Sequence, residues 1–183
     1  MKKIFFLMAL FAAASISVAA QAKPTDFSGT WMLDIPKSQL NERMRIEAMT
    51  MTVAQTDKEL KVTTETKRPA PAADASANPG GGRGMGGRFG GADGTVAYSL
   101  DGKETIVEMD GPNGKMPVKY KAILEAGKLN LSSTRNLSGP MGDITITSKD
   151  SWSLSPDGKT LTAVREQTTP RGSSTSTLVF VKK

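Results

Sequence analysis

The sequence predicts an all-β fold, an antiparallel up-and-down meander of about 8–10 strands that closes into a barrel. Apolar and polar residues alternate over many short segments, which is the pattern of strands with one buried face. Turn motifs such as Ser-Pro-Asp-Gly-Lys at 155–159 separate these segments. No amphipathic helix is evident to cover a sheet face, so the sheet must close on itself or stack on another. A β-sandwich is the alternative, and the short connections favour the barrel.

Residues 1–22 have the features of a secretory signal peptide. Two lysines at positions 2 and 3 precede an apolar run that ends in Ala20-Gln21-Ala22, with small residues where signal peptidase cleaves. The run is short for a membrane span and carries this cleavage site. We therefore expect cleavage after Ala22, a periplasmic or secreted location, and a soluble product without a membrane anchor.

The mature protein is expected to begin at Lys23, because cleavage follows the small residue Ala22. Intact mass measurement or Edman sequencing of exported material checks this. Recovery of a chain that retains Met1 in the membrane fraction would contradict it.

Residues 23–183 are expected to form a single β-barrel domain. The sequence contains neither cysteine nor histidine. Disulfides, the usual zinc sites and the Ser-His-Asp and Cys-His catalytic arrangements are therefore excluded. Met44, Met49 and Met51 have the thioether chemistry that Cu(I) prefers, but strand methionines usually fill gaps in a core, and we favour that interpretation. We expect no metal and no cofactor.

The charge of the protein does not indicate a nucleic-acid partner. Lysine and arginine number 24 against 18 acidic residues, for a net charge of +6 at pH 7. The basic residues are spread over turns and outward strand positions instead of forming a patch. We expect no nucleic-acid binding, and we expect a monomer.

The first strand of the mature chain is predicted around Phe27-Ser-Gly-Thr-Trp31. Phe27 and Trp31 share one face of an extended segment, and Gly29 lets a neighbouring backbone or ring approach closely. This F-x-G-x-W start, with the hairpins that follow, resembles the small secreted bacterial lipocalin-like (calycin-type) β-barrel proteins. The resemblance implies a lipocalin-like barrel in which Trp31 closes one end beneath an arginine from near the last strand. Arg165, one strand before the last, is the nearest candidate for that arginine.

The next segments predict a short helix or turn, a hairpin and an insertion. Residues 36–44 have the polar, proline-started composition of a short helix or turn. A Pro/Ala/Gly-rich stretch at 68–94 has too few apolar side chains to offset the entropy of ordering, so we expect a disordered insertion there. Between them, a long hairpin is predicted from the alternation of Met49, Met51, Val53, Leu60 and Val62.

After the insertion, four more hairpin signals follow. Asp101-Gly102 between alternating arms predicts a hairpin that joins the strand of Tyr98 to the strand from Thr105 to Met109. The most regular alternation in the chain comes next and contains Tyr120. Turns at 110–114, 125–128 and 138–142 continue the meander, and the last strand is predicted at 175–181.

The hairpin around the turn at 155–159 is predicted to pair Trp152 with Leu161, which sets Asp150 diagonal to Arg165. A long arginine side chain would then reach the carboxylate, and we expect this contact. A bulge in the turn would instead direct Arg165 outward.

A barrel of this size has room for one small ligand. The predicted inner face mixes aromatic and polar groups, which is the character of a small-molecule site. We therefore expect the lumen to bind one small, largely apolar molecule, with candidate ligand-binding residues Tyr98, Tyr120, Asp150, Trp152 and Arg165. The alternative is an envelope structural or interaction protein in which the same side chains form a filled core.

Enzymatic activity is the weakest of the three hypotheses. Without histidine or cysteine, catalysis would rest mainly on carboxylates. Only Asp34, Asp150 and Glu166 stand in or beside apolar strands, and no two of them form an evident pair.

Overall fold

The computed structural model describes residues 24–41, 45–69, 93–111, 114–139 and 142–183, so the predicted signal peptide lies outside the described residues. The alternating segments form strands, as their apolar periodicity requires. The strands are β1 (Gly29–Leu33), β2 (Ala48–Gln55), β3 (Glu59–Lys67), β4 (Gly94–Ser99), β5 (Thr105–Gly111), β6 (Gly114–Glu125), β7 (Lys128–Gly139), β8 (Gly142–Leu154), β9 (Thr160–Thr169) and β10 (Gly172–Lys182).

The strands form one antiparallel sheet in the order β4-β3-β2-β1-β10-β9-β8-β7-β6-β5. Strands that follow one another in the chain are neighbours everywhere except at β4 and β5, and the first strand pairs with the last. This pairing curls the meander into a nearly closed barrel. The predicted all-β meander barrel is confirmed, and the sandwich alternative is not what the chain forms.

The predicted hairpin between β4 and β5 is wrong, because these strands lie at the two ends of the sheet. The turn itself forms: the Asp101 carboxylate accepts a hydrogen bond from the Lys103 amide at 2.9 Å, and Gly102 has φ 78°. Beyond this turn, however, Asp101 bridges to Ile123 on β6 and not to β5. Asp-Gly specifies a local reversal, whereas strand pairing also depends on the twist of the whole sheet. An opening between β4 and β5 results.

The first long hairpin follows its predicted pattern. Val53 pairs with Val62, and the inward residues of both arms are buried. Most of the predicted insertion at 68–94 lies outside the described residues. At its boundaries, the Arg68 guanidinium lies 3.4 Å from the Asp93 carboxylate, and Gly94 already belongs to β4.

The segment after β1 contains a 3-10 helix at Ile35–Lys37, with Asp34 at its N-cap. This is shorter than the helix or turn predicted for residues 36–44, of which 42–44 lie outside the described residues. Gln39 then forms an isolated bridge to Thr177 on β10. Among the residues that the structure describes, no helix is long and apolar enough to cross a membrane.

An apolar cluster fills one end of the barrel around Trp31. The Trp31 indole is fully buried, and Trp31 Nε1 donates a hydrogen bond to the Phe27 carbonyl at 3.0 Å. The Lys182 ammonium lies 5.2 Å from the centre of the Trp31 ring, within range of a cation–π interaction. Lys182, on the last strand, therefore covers Trp31, and the assignment of Arg165 to that role is wrong.

Gly29 is required where the Lys182 side chain crosses β1. Its φ is 143°, and a Cβ at this position would lie 2.7 Å from the Lys182 Cε atom. A larger residue would be strained in its backbone and would displace the lysine stem. The glycine of the F-x-G-x-W sequence thus permits the close approach of a side chain from the last strand.

The hairpin between β8 and β9 has a register two residues away from the predicted one. Trp152 pairs with Ala163, where pairing with Leu161 was expected, and Asp150 pairs directly with Arg165. The prediction assumed a two-residue loop, but a type I turn fits strand twist better within a longer loop. Here the loop spans 156–159, and Ser155 exchanges backbone and side-chain hydrogen bonds with Thr160 across it.

Candidate functional site

Three parallel rows of inward side chains cross strands β7 to β10 and change in character along the barrel axis. The row nearest the Trp31 end is apolar, the middle row contains an ion pair, and the third row is polar. In strand order the rows are Leu129-Trp152-Ala163-Leu178, then Leu131-Asp150-Arg165-Ser176, then Ser133-Ser148-Gln167-Ser174. The strand periodicity of two therefore produces an interior with one apolar half and one polar half.

A cavity of about 110 Å³ lies in the interior, chiefly beside the middle and polar rows. Side chains from strands β2 to β9 line it. All five candidate residues, which are Tyr98, Tyr120, Asp150, Trp152 and Arg165, belong to this lining. The structure therefore brings the candidate residues together, although their role in ligand binding stays a prediction.

Asp150 and Arg165 form a two-pronged ion pair in the cavity wall. Arg165 Nε donates to Asp150 Oδ1 at 2.8 Å, and Arg165 Nη2 donates to Asp150 Oδ2 at 2.6 Å. Their side chains are only 18% and 11% exposed, so solvent screens the pair weakly. The nearby carboxylate raises the pKa of Arg165 above its ordinary value, against the opposing effect of burial. The predicted Asp150–Arg165 contact is confirmed.

Tyr98 on β4 and Tyr120 on β6 face each other in the interior, near the opening between β4 and β5. Their rings meet edge to face with centroids 5.5 Å apart, and the Tyr120 hydroxyl donates to the Met109 sulfur at 3.0 Å. Burial is the main cause that raises the pKa of both phenols, with the Asp150 charge adding to the effect at Tyr98. Both tyrosines are therefore neutral phenols at physiological pH.

Arg135 is a cavity residue that the sequence analysis missed. It lies on β7 in phase with Leu129, Leu131 and Ser133, so the alternation of that strand could have identified it. Burial lowers its pKa from the ordinary value, and the effect of Tyr120 opposes this shift. Among the described residues, the charged side chains that line the cavity are thus two arginines and one aspartate.

Trp152 stands where the apolar and polar halves of the interior meet. Its ring packs at a tilt against Phe27, with centroids 6.2 Å apart, and only 3% of the residue is exposed. Its Nε1 is buried and has no hydrogen-bond partner. Trp31 differs in this respect, because its N–H is satisfied by the Phe27 carbonyl.

The described residues considered for a copper site and for carboxylate catalysis have different surroundings in the fold. Met49 and Met51 are buried on the inner face of β2, as the core interpretation expects, while Met44 lies outside the described residues. Asp34 caps the 3-10 helix and Glu166 is exposed, so neither shares the surroundings of Asp150. In the described part of the chain, no three acidic side chains stand close enough together to hold a metal ion.

The fold and the site together define the class of protein: a ten-stranded antiparallel barrel, open between two adjacent strands, with a mixed apolar and polar cavity. No protein-family model and no curated protein sequence matches the chain. Among solved structures, the chain is similar to zebrafish ileal bile acid-binding protein complexed with cholic acid. The TM-score is 0.48 and the sequence identity 14%, over 86% of this chain and 98% of that chain.

Proposed function

We propose that the protein binds one small, largely apolar molecule inside the barrel. The observation that carries this proposal is the cavity of about 110 Å³ at a place where cores are normally filled. Protein interiors pack as densely as organic crystals. The cavity is partly open and polar groups contribute to its lining, so water occupies it when no ligand is bound, and an apolar ligand would gain free energy by displacing that water.

The walls of the cavity suit a molecule that is mainly apolar with a polar end. Apolar side chains come from β2, β3, β4, β6 and β7, while the Asp150–Arg165 pair supplies a fixed polar group. Small-molecule sites commonly combine apolar walls with a few placed polar groups. An engineered cavity of about 150 Å³ accepts benzene, and the cavity here is smaller, so a single ring or a short chain is the upper limit of size unless the ligand extends into the opening.

The opening between β4 and β5 is the proposed route of access. No backbone ladder joins the two strands among the described residues, and the bridge between Asp101 and Ile123 just beyond β4 is the backbone pairing that ties β4 to the other side, so the strands can separate at a small cost in hydrogen bonds. The Tyr98–Tyr120 ring contact joins β4 to β6 beside the opening. Such an aromatic pair contributes only about 0.5–1.5 kcal/mol beyond its buried area, so separating the rings would cost little.

We propose that this binding takes place outside the cytoplasm. The support is the order of basic start, apolar run and small-residue end in residues 1–22. The resemblance of the F-x-G-x-W start to small secreted bacterial lipocalin-like proteins agrees with it.

The Ser148→Leu substitution is expected to block the cavity. Binding of a small apolar quencher, 4-nitrotoluene, should become weaker by about tenfold or more. Ser148 lines the cavity, and overpacking an interior site costs about 1–3 kcal/mol. Ser151→Leu is the matched control, because Ser151 lies on the opposite face of the same strand, beside the exposed Val164. Quenching of tryptophan fluorescence measures the affinity of each variant.

Native mass spectrometry of protein purified gently from its own compartment tests for a natural occupant. The expected result is an adduct of one small molecule, retained by Ser151→Leu and absent from Ser148→Leu. A clean apo mass together with no quenching in the unmodified protein would leave the filled-core interpretation as the better one.

A further inference from the structure

We propose that Trp152 Nε1 is a ligand-binding donor that takes an uncharged oxygen acceptor, such as a carbonyl, at the inner end of the cavity. This inference rests on the proposed function and specifies the chemistry of the ligand. The observation behind it is that Trp152, which lines the cavity, has a buried N–H without a hydrogen-bond acceptor.

Buried polar atoms are paired in the great majority of cases. Among the described residues, two buried side-chain atoms have no hydrogen-bond partner, Thr66 Oγ1 and Trp152 Nε1, and only Trp152 lines the cavity. An indole N–H can only donate, and a buried donor without an acceptor destabilises the folded state by the cost of its desolvation. Nε1 itself is almost fully enclosed, so a ligand acceptor would pair with it after a small shift of the Trp152 ring toward the cavity, and this contact would remove that cost.

The rows of inward side chains decide the charge of this acceptor. Asp150 lies two residues before Trp152 on the same face of β8, about 6.6 Å away along the strand. Arg165 donates hydrogen bonds to both carboxylate oxygens of Asp150, so the positive charge of its guanidinium is already neutralised by that carboxylate. An anionic ligand group beside Trp152 would lose its water close to the negatively charged Asp150 carboxylate and would have no cation to pair with. Its binding there would therefore be unfavourable.

The other cationic residue of the lining, Arg135, is attached to the backbone at the opposite end of the cavity. Arg135 is six residues beyond Leu129 on β7, and Leu129 is the residue that pairs with Trp152. Six residues of strand span about 20 Å. The inner end of the cavity is therefore suited to a neutral acceptor flanked by apolar surface.

Three single-ring probes separate the possibilities: acetophenone carries a neutral carbonyl, ethylbenzene has a similar shape without oxygen, and benzoate is an anion. Affinities are measured for the mature chain and for Trp152→Phe, which keeps an aromatic ring and removes the N–H. The ratio of acetophenone to ethylbenzene affinity is expected to fall about 3- to 10-fold in the variant, the range of one net hydrogen bond. An unchanged ratio would overturn the inference.

A second readout uses the unmodified protein, so it does not depend on how well the variant folds. The sequence contains two tryptophans, and each gives one indole N–H signal in a ¹H–¹⁵N spectrum. Saturation with acetophenone is expected to move the Trp152 signal downfield and to leave the signal of the satisfied Trp31 in place. A resident water that keeps its contact with the Trp152 N–H at saturation, or a comparable downfield shift with benzoate, would overturn the inference.

The outcomes for the two proposals are distinguishable. If none of the three probes shifts signals of cavity residues such as Tyr98 or Ser148, the proposed function fails along with this inference. If the probes bind but the Trp152 N–H signal does not respond to acetophenone, the cavity binds ligands and only the inference fails.

Discussion

Replacing Asp150 with asparagine is expected to lower the free energy of unfolding by about 3 kcal/mol. The substitution keeps the shape of the side chain but leaves the buried Arg165 guanidinium without its anion. Removing one partner from a buried ion pair costs more than the pair contributes, because the remaining charge stays desolvated. Urea unfolding measures the change, and thermal unfolding should show a decrease in Tm of about 6–12 °C.

The matched control for Asp150→Asn is Glu104→Gln, which also replaces a carboxylate by its amide. Glu104 lies 3.4 Å from Lys119 in a pair whose side chains are both 55% exposed. An exposed pair of this kind contributes at most about 1 kcal/mol. Equal small effects of the two substitutions would show that water reaches the Asp150–Arg165 pair freely and would contradict its description as a desolvated pair.

The double variant Asp150→Asn with Arg165→Met is expected to return to within about 1 kcal/mol of the unmodified protein. It removes the unpaired charge, and apolar replacements of buried ion pairs are often neutral in stability. A double variant as unstable as the sum of the two single variants would indicate that the pair itself, and not the isolated charge, controls the stability.

The strands could be predicted from the sequence because their signals are local. The alternation of Met49, Met51 and Val53 specified which face of β2 is buried, and the same rule brought Tyr120 and Trp152 to the interior. Since side-chain direction in a strand depends only on phase, an error of two residues in register leaves every residue on its correct face. This is why the contact of Asp150 with Arg165 was predicted correctly from a wrong register.

Features that depend on the whole sheet could not be predicted in this way. β4 and β5 lie at the two ends of the sheet with an opening between them, and no signal around Asp101-Gly102 reports how the whole set of strands pairs. The resemblance implies an arginine over Trp31, and Lys182 occupies that place. A lysine provides the same positive charge over the ring, so the residue type could not be predicted from the charge requirement alone. The unpartnered N–H of Trp152 could not be foreseen, since hydrogen-bond satisfaction depends on atoms from several strands.

The Trp31→Ala variant is expected to lose about 4 kcal/mol of stability, the largest effect of a single substitution that we predict. Trp31 is fully buried among apolar side chains at the filled end of the barrel, where its strand pairs with both β2 and β10. Removing the indole leaves a void and an unmatched Phe27 carbonyl at the junction that closes the sheet. Because whole domains are stable by only about 5–15 kcal/mol, the variant should be close to unfolding at ambient temperature.

Two further variants divide the expected effect of Trp31→Ala into its causes. Lys182→Met removes the cation over the ring and keeps the aliphatic stem, and it should cost no more than about 1 kcal/mol. Trp31→Phe retains an aromatic ring but loses the hydrogen bond to Phe27 and part of the volume, so its cost should be intermediate. Urea unfolding of all three variants gives the comparison. If Lys182→Met were as destabilising as Trp31→Ala, the stability of this end would depend on the cation and not on the packing of the indole.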